Sequence, residues 1–414
     1  MRSLLPDIRL LREREFRLLY SGQAVSSFGS ALTYVALPLQ MYQLTHSTVL
    51  VGLLGLVEFL PMFLLAFVGG ALADRFDRRR LAIHAERLMA VGCLALAANA
   101  LLPSPRVWVL WLVAASLAGL NAVHRPALEA LTQQVVPFDR MPSLGPLQSL
   151  RHNFAHIVGP AIAGFIAATF GVHFAFALDC ATFLFSIAML SLMSPVPLTA
   201  THEEAITWRS LTEGWRYARS RQDLLGTYLI DINAMFFGMP NALFPAIGEQ
   251  WGPRSVGLLY AAPAVGALLA SLTAGWTARV RRHGLAIIYA ASAWGLAIVG
   301  FGLSASIVPA LAWLAIAGGA DNISGIFRYT MWNQTIPHRL RGRTAAIEMV
   351  SYLSGPYLGN VEAGFAARAF GLSTSVVLGG VLCVAGSVIL AVALPRFRKY
   401  DAARVFSPVP GSAN

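Results

Sequence analysis

Acidic side chains interrupt several long apolar stretches of this sequence, where an ionised group is costly. An acid that faces a cavity between membrane helices can take up a proton on one side and release it on the other. Glu58 and Asp231 are the first candidates, because neither has a cation three or four residues away. The other acids in apolar stretches are Asp179, Asp321, Glu348 and Glu362. We predict proton exchange at one or more of these positions; the alternative is that an acid only pairs internally.

Polar and basic side chains in the same stretches predict the path of a small-molecule substrate. Arg125, Arg151 and Arg328 could attract an anion, although Arg125 has an acid one helical turn further on and could pair with it instead. His152 and His156 have the i, i+4 spacing of two metal ligands. No carboxylate or cysteine accompanies them nearby, so we predict no metal. The remaining pathway candidates are Gln23, Tyr34, Asn121, Asn153 and Asn233.

The composition places these residues in a lipid bilayer. The chain has 414 residues, of which 56% are hydrophobic and 12% are charged, whereas soluble proteins have about 25% charged residues. The net charge of +11 is concentrated in alternate loops, so membrane topology explains it better than nucleic-acid binding. Lys399 is the only lysine and lies in a charged tail, which excludes a phosphate-binding loop and Schiff-base chemistry. We predict no enzymatic activity and no cofactor.

An all-α membrane protein with twelve transmembrane helices is therefore predicted, at about 20 apolar residues per helix. Arginine-rich loops alternate with loops that lack arginine, and only Arg106 and Arg254 break the pattern. The positive-inside rule then places both termini in the cytoplasm. The predicted spans are 16–44, 49–73, 81–102, 108–134, 143–170, 173–193, 224–250, 256–280, 285–307, 309–336, 344–370 and 374–394.

Two sequence repeats at one offset predict two pseudo-symmetric six-helix halves. The segment Gly164–Gly171 (GFIAATFG) matches Gly364–Gly371 (GFAARAFG), and QVVP at 134–137 matches QTIP at 334–337, both at an offset of 200 residues. A polar stretch between the halves has Trp208, Leu211, Trp215 and Ala218 on one helical stripe, which predicts an amphipathic helix. The predicted domains are 1–193, the linker 194–223, and 224–414 with its short basic tail.

Glycine–proline pairs occur at matching places in the two halves. They are Gly159–Pro160 in the fifth predicted span and Gly355–Pro356 in the eleventh. Interrupted helices in transporters are moving or binding segments, so these pairs predict helix breaks. A packing kink is the equal alternative.

The segment from Gly69 to Arg80 (GGALADRFDRRR) lies between the second and third predicted spans. Gly69 and Gly70 are predicted to end a helix and to let two helices approach closely. Asp74 can accept hydrogen bonds or pair with a cation. Arg75, Arg78 and Arg79 are predicted to anchor the turn at the cytoplasmic surface.

This ordered pattern closely resembles the loop signature between helices 2 and 3 of the major facilitator superfamily, and the resemblance covers the whole chain. It implies the two-half major facilitator fold and a gating role for the signature residues. Other strings resemble the enterobactin-exporter branch, among them THST at 45–48, NALLP at 99–103, GLLYAA at 257–262 and YTM at 329–331. The resemblance implies proton-driven export of a siderophore or similar metabolite across the inner membrane, by alternating access.

The chain departs from the drug–proton antiporters of that superfamily in two places. The segment 112–119 lacks an arginine that these antiporters often carry, and Ala155 and Ala163 replace glycines of their fifth-helix signature. Two other functions therefore stay open. A multidrug or macrolide exporter shares every motif quoted, and a membrane sensor without transport is an alternative of another class.

Overall fold

The computed structural model describes residues 8–137, 140–194, 208–252, 254–336 and 341–402, and all regular structure within these ranges is helical. This confirms the predicted all-α class. The helices are α1 Arg14–Thr45, α2 Thr48–Arg75, α3 Arg78–Ala100, α4 Val107–Val135, α5 Met141–Phe170, α6 Val172–Ser191, α7 Trp208–Ser220, α8 Gln222–Phe237, α9 Phe244–Glu249, α10 Ser255–Leu272, α11 His283–Gly302, α12 Ile307–Thr335, α13 Arg341–Phe370, α14 Leu372–Ala393 and α15 Pro395–Arg398.

Many of these helices suit a bilayer by length and composition. Within the described ranges, nine are long and apolar enough to cross a membrane, namely α2 to α6, α10 to α12 and α14. The other three predicted spans fall on α1, on α8 together with α9, and on α13. Most predicted boundaries lie within a few residues of the observed ones, because long apolar runs are the strongest signal in the sequence.

Two predicted spans are wrong in extent. The span 224–250 is not one helix, because α8 ends at Phe237 and a 3-10 turn at Asn241–Leu243 precedes the short α9. Pro240 has no N–H to donate and disfavours a helical residue before it. The span 256–280 also ends early, since α10 stops at Leu272 and a 3-10 turn at Ala274–Arg279 follows.

The predicted helix breaks at the glycine–proline pairs are wrong as well. Helix α5 runs through Gly159 and Pro160, and α13 runs through Gly355 and Pro356. Neighbouring helices and local adjustments let membrane helices tolerate an internal proline. A Cβ atom on Gly159 would meet Ala31 of α1, and one on Gly355 would meet the Met235 side chain of α8. Each pair therefore marks a close helix contact.

The chain forms two compact units. Unit 1 comprises Met1–Ala205 and Ala242–Ala261, and unit 2 comprises Ile206–Asn241 and Ala262–Asn414. In unit 1, α1 packs against α5 and α6, α3 packs against α4 and α6, and α2 packs against α4. In unit 2, α8 packs against α13 and α14, and α11 packs against α12 and α14. These contacts position the polar residues described below.

The tail after α14 belongs to the core of unit 2. Phe397 of α15 is completely buried and packs with Ile287, Phe327 and Met331. A Cβ atom on Gly226 of α8 would overlap the Phe397 ring, and one on Gly284 of α11 would overlap its carbonyl oxygen. These two glycines therefore make the space that the tail occupies.

Tyr400 holds the same tail by a hydrogen bond. Burial raises the pKa of its hydroxyl to about 12, so the group stays protonated and donates to Gln334 Oε1 at 3.0 Å. The backbone N–H of Ala402 donates to the carbonyl of Arg281 at 3.0 Å. The predicted short basic tail is thus a packed segment as far as residue 402.

Helix α7 lies in the predicted linker. Ala218, on the predicted apolar stripe, is fully buried against Leu224, Tyr228 and Ile336. Tyr217 donates its hydroxyl hydrogen to the carbonyl of Thr335 at 3.1 Å. The C-terminal half of α7 is therefore packed against other helices of unit 2.

The two copies of the repeated sequence end in the same turn. Gly171 after α5 and Gly371 after α13 both have φ of 87°, with ψ of 160° and 161°. This backbone region strongly favours glycine. In each copy the next helix begins at the following residue, so the turns have the same local geometry.

Candidate functional site

An ionic cluster lies inside unit 2, between α8 and α12. Arg328 on α12 forms an ion pair with Asp231 on α8, and its Nη2 atom lies 3.5 Å from Oδ1 of Asp321, two turns earlier on α12. Asp231 and Arg328 are only 7% and 8% exposed, whereas the Asp321 side chain is 41% exposed. The structure thus brings together three residues that were predicted separately.

The cluster has two carboxylates and one guanidinium, and arginine keeps its proton in proteins. With both acids ionised the cluster carries a net charge of −1. A proton on Asp321 would leave a neutral Asp231–Arg328 pair. Burying a neutral set of groups costs less than burying a net charge, so this geometry can link proton uptake to enclosure of the cluster.

A second buried acid, Asp179 of α6, lies in unit 1 among neutral hydrogen-bond donors. Its Oδ2 atom accepts from the Thr33 hydroxyl of α1 at 2.5 Å and from the Cys93 thiol of α3 at 3.3 Å. Its Oδ1 atom accepts from the Thr182 hydroxyl at 3.2 Å. A Cβ atom on Gly29 would overlap Asp179 and Thr182, so α1 and α6 are tightly packed at this point.

Two further residues of unit 1, not among the predicted site residues, also place ionisable groups in the core. Glu86 of α3 is fully buried, and its Oε1 atom lies 3.1 Å from Nε2 of His124 on α4. The Ser186 hydroxyl of α6 donates to the same oxygen at 2.8 Å. Three helices therefore meet at one carboxyl group.

A polar contact joins α1 and α5 in unit 1. Arg151 donates a hydrogen bond from Nη1 to Oε1 of Gln23, and the Tyr20 hydroxyl donates to the carbonyl of Leu147 at 2.9 Å. Asn153 is partly buried nearby on α5. Gln23 and Arg151, both predicted for the substrate path, are therefore in direct contact.

His152 and His156 have ring centroids 4.2 Å apart, and both side chains are exposed on α5. Within the described part of the chain, no group of three or more His, Cys, Asp or Glu side chains has the arrangement of a metal site.

Three other pathway candidates bond within their own helix or to a neighbouring one. Arg125 Nε lies 3.0 Å from Glu129 Oε1 on the exposed side of α4, as the alternative interpretation proposed. Asn121 donates to the carbonyl of Leu117 one turn earlier, at 3.0 Å. Asn233 donates to the carbonyl of Cys383 at 2.9 Å and so links α8 to α14.

An aromatic group surrounds the predicted pathway residue Tyr34. The half-exposed Tyr34 ring meets the Tyr260 ring edge-on at 5.5 Å, and Tyr260 meets Phe244 edge-on at 4.9 Å. Glu58, the first of the predicted proton-exchange candidates, lies in the middle of α2 and is partly buried. Unit 1 therefore places Tyr34 in one group with two further aromatic residues.

The segment Gly69–Arg80 differs from the expectation. Helix α2 continues through Gly69 and Gly70 and ends at Arg75, so the two glycines do not end it. Gly69 instead lies against the backbone carbonyl of Ala122 on α4, where a Cβ atom would overlap. Only Phe76 and Asp77 separate α2 from α3, and Asp77 caps α3 by accepting from the backbone N–H of Arg80 at 3.1 Å.

The arginines of this segment make different contacts. Arg79 donates from Nε to the carbonyl of Leu190 at 2.6 Å and from Nη2 to that of Ser191 at 2.7 Å. These carbonyls end α6, where a cation also complements the helix dipole. Arg78 is buried at the start of α3, whereas Arg75 is exposed. Gly70, Asp74 and Glu348, which carry predicted roles, lie outside the residues whose side chains are described.

The chain is similar to known proteins over nearly its whole length. The family model described as "Transmembrane secretion effector" (MFS_3) matches residues 8–410. The enterobactin exporter EntS of Shigella boydii serotype 4 is 29% identical over 404 residues, which are 96% of this chain and 97% of that protein. The enterobactin exporter EntS of Escherichia coli O139:H28 is 28% identical with the same coverage.

Solved transporter structures share the fold. The nucleoside transporter NupG matches with a TM-score of 0.76 and 13% identity, covering 94% of this chain and all of that one. A POT family transporter matches with a TM-score of 0.73 and 12% identity, covering 94% and 97%. The predicted resemblance to the enterobactin-exporter branch is confirmed. Because the family model matches nearly the whole sequence, this chain belongs to the MFS_3 transmembrane secretion effectors, a family of major facilitator transporters.

Proposed function

We propose that this chain exports a small molecule, a siderophore or related secondary metabolite, from the cytoplasm in exchange for protons. The observation that carries the proposal is the 28–29% identity to enterobactin exporters over 96% of the chain. The buried acids support coupling to protons, because ionisable groups inside membrane helices commonly lie on ion or proton pathways.

The proposed architecture has twelve spans in the inner membrane, with both termini in the cytoplasm. Helices α1, α8 with α9, and α13 add three spans to the nine apolar ones. The sequence repeats and the matching glycine turns after α5 and α13 support two six-helix halves, 1–193 and 224–414. Alternating access would then come from rocking of the halves around the substrate.

The proposed coupling site is the cluster of Asp231, Arg328 and Asp321. Protonation of Asp321 removes the net charge and favours a conformation that encloses the cluster. The proposed substrate path includes Arg151 and Gln23, whose polar groups suit an anionic oxygen-rich molecule, and Tyr34, whose ring can stack on an aromatic one.

Everted membrane vesicles that contain the protein test this function. We expect a gradient with the acid side inside to drive uptake of a catecholate siderophore, and the Asp321→Asn variant to lose the dependence on the gradient. The matched control is Arg125→Gln, which changes an exposed ionic residue of α4. Uptake of a macrolide but no siderophore would replace the proposed substrate with a drug. No uptake of either compound by folded protein would contradict the proposal and favour a sensor.

A further inference from the structure

The carboxyl group of Glu86 is unevenly bonded. Its Oε1 atom is approached by two groups, His124 Nε2 at 3.1 Å and the Ser186 hydroxyl at 2.8 Å. Its Oε2 atom is buried and has no hydrogen-bond partner among the residues that the structure describes. A carboxylate has room for about four hydrogen bonds, so an unfilled position is left at Oε2 in the core of unit 1.

The charges around Glu86 are few. Besides Glu86 and His124, the buried ionisable side chains on α3 and on the described parts of the helices packed against it are Arg78, Cys93 and Asp179. Cys93 and Asp179 bond to each other, and Arg78 lies two turns before Glu86 on α3. On α4, Arg125 faces outward and pairs with Glu129. Among these groups, His124 is thus the one that contacts the Glu86 carboxyl group and can balance its charge when protonated.

A glutamic acid and a histidine can share one proton in two arrangements of equal net charge. The proton on the imidazole gives an ion pair, and the proton on the carboxyl group gives a neutral pair. An imidazole changes charge near neutral pH, unlike a guanidinium. If the pair gains or loses one more proton, the net charge of this buried site changes. The Oε2 atom of Glu86, which has no described partner, can accept such an additional proton.

We propose that Glu86, His124 and Ser186 form a second proton-binding site, in unit 1, with Glu86 as the carrier and His124 as its exchange partner. The inference rests on the proposed proton coupling and extends it to a site separate from Asp231, Arg328 and Asp321. Ser186 positions the carboxyl group through Oε1, where a proton can pass between His124 Nε2 and the carboxyl group, and Oε2 stays open for a further proton.

Infrared difference spectra of the full-length protein in lipid, taken between about pH 5 and about pH 9, test the site without any substrate. We expect the wild type to show a pH-dependent carboxyl C=O band that Glu86→Gln abolishes and whose midpoint His124→Gln shifts. Ser186→Ala should keep the band at a changed frequency. An unchanged band in Glu86→Gln would overturn the proposal. If Glu86→Gln does not fold, an unchanged band midpoint in His124→Gln would overturn it equally.

Transport separates this proposal from the function that it extends. In proteoliposomes, we expect Glu86→Gln to lower gradient-driven accumulation of the siderophore by about tenfold, while siderophore exchange without a gradient changes by less than about twofold. If the wild type accumulates siderophore without regard to the gradient, the proposed coupling fails, whatever the infrared band shows. If accumulation in Glu86→Gln keeps the wild-type gradient dependence, the second site fails and the proposed function stands.

Discussion

The two units compensate their buried acids in different ways. In unit 2, Asp231 lies against Arg328, a cation that keeps its proton. In unit 1, Asp179 receives hydrogen bonds from neutral groups, and Glu86 lies against a histidine. The unit 2 pair therefore has fixed charges, whereas the acids of unit 1 have partners that allow either charge state. A change of protonation at a buried acid therefore leaves less unpaired charge in unit 1 than it does at the Asp231–Arg328 pair of unit 2.

Removing the fixed cation should have the largest effect. Arg328→Leu leaves the buried Asp231 without its guanidinium, and breaking a buried pair costs about 3–5 kcal/mol. We expect a large drop in the thermal unfolding midpoint in detergent and loss of transport. The double variant Asp231→Leu with Arg328→Leu should regain much of the stability, because it strands no buried charge: the remaining Asp321 side chain is 41% exposed. Equal stability of Arg328→Leu and the wild type would contradict a fixed ion pair.

The corresponding change in unit 1 should be milder. Asp179→Asn replaces one acceptor oxygen by an amide NH2 that faces either the Thr182 hydroxyl or both the Thr33 hydroxyl and the Cys93 thiol. Because the hydroxyl can rotate and the thiol is a weak donor, we expect a loss of about 1–3 kcal/mol. Thermal unfolding of Asp179→Asn and Arg328→Leu under one condition checks the order. A larger loss in Asp179→Asn would mean that Asp179 is as firmly ionised as Asp231.

The glycine turns test whether the units differ outside their ionic groups. Gly171→Ala and Gly371→Ala both place a side chain at φ of 87°, so each should lose about 1 kcal/mol. Gly171→Ala should lose somewhat more, because its Cβ would lie 2.9 Å from Nδ1 of His173, whereas at Gly371 no described residue beyond its two chain neighbours lies within 4 Å of the added Cβ. Parallel melting curves measure both. A loss of stability in only one of the two variants would show that the two turns differ in energy although their backbone geometry is the same.

An exposed ion pair in unit 1 should have the smallest effect. Arg125→Gln removes the i, i+4 contact with Glu129 on the surface of α4, and such pairs contribute about 0.5 kcal/mol or less. We expect unfolding and the pH dependence of transport to stay close to wild type. A strong change in the unfolding midpoint or in the pH dependence of transport would show that the exposed cation Arg125 contributes to stability or to coupling.

The sequence predicted the helices better than it predicted their polar partners. Long apolar runs locate α5 and α12 within a few residues, since burial in lipid requires a continuous apolar helix. The partner of Asp231 could not be found, because a search at i±3 and i±4 sees only its own helix and Arg328 comes from α12. Glu86 lies inside the predicted span 81–102, close to the arginine-rich start of α3, and was not among the acids singled out there. His124 is adjacent to Arg125, and only the packing of α3 on α4 brings it to Glu86.

Local rules also failed where a neighbour decides the outcome. Pro160 and Pro356 remove one backbone donor each, yet both helices continue because adjacent helices hold them in place. Gly69 and Gly70 have low helix propensity, which would suit a helix end. Gly69 instead lies inside α2, where the missing side chain allows the close contact with α4. In each case the residue type was informative and its consequence depended on the tertiary environment.

The buried Phe397 has a consequence for how the protein is made. The groove formed by Gly226 and Gly284 is synthesised long before the ring that fills it. Domains fold as their residues emerge from the ribosome, so the core of unit 2 stays incomplete until Phe397 has been made. A messenger truncated just before Phe397 would encode every long helix and still leave an open core. The core of unit 2 is therefore closed by a ring that is made only after the helices around it.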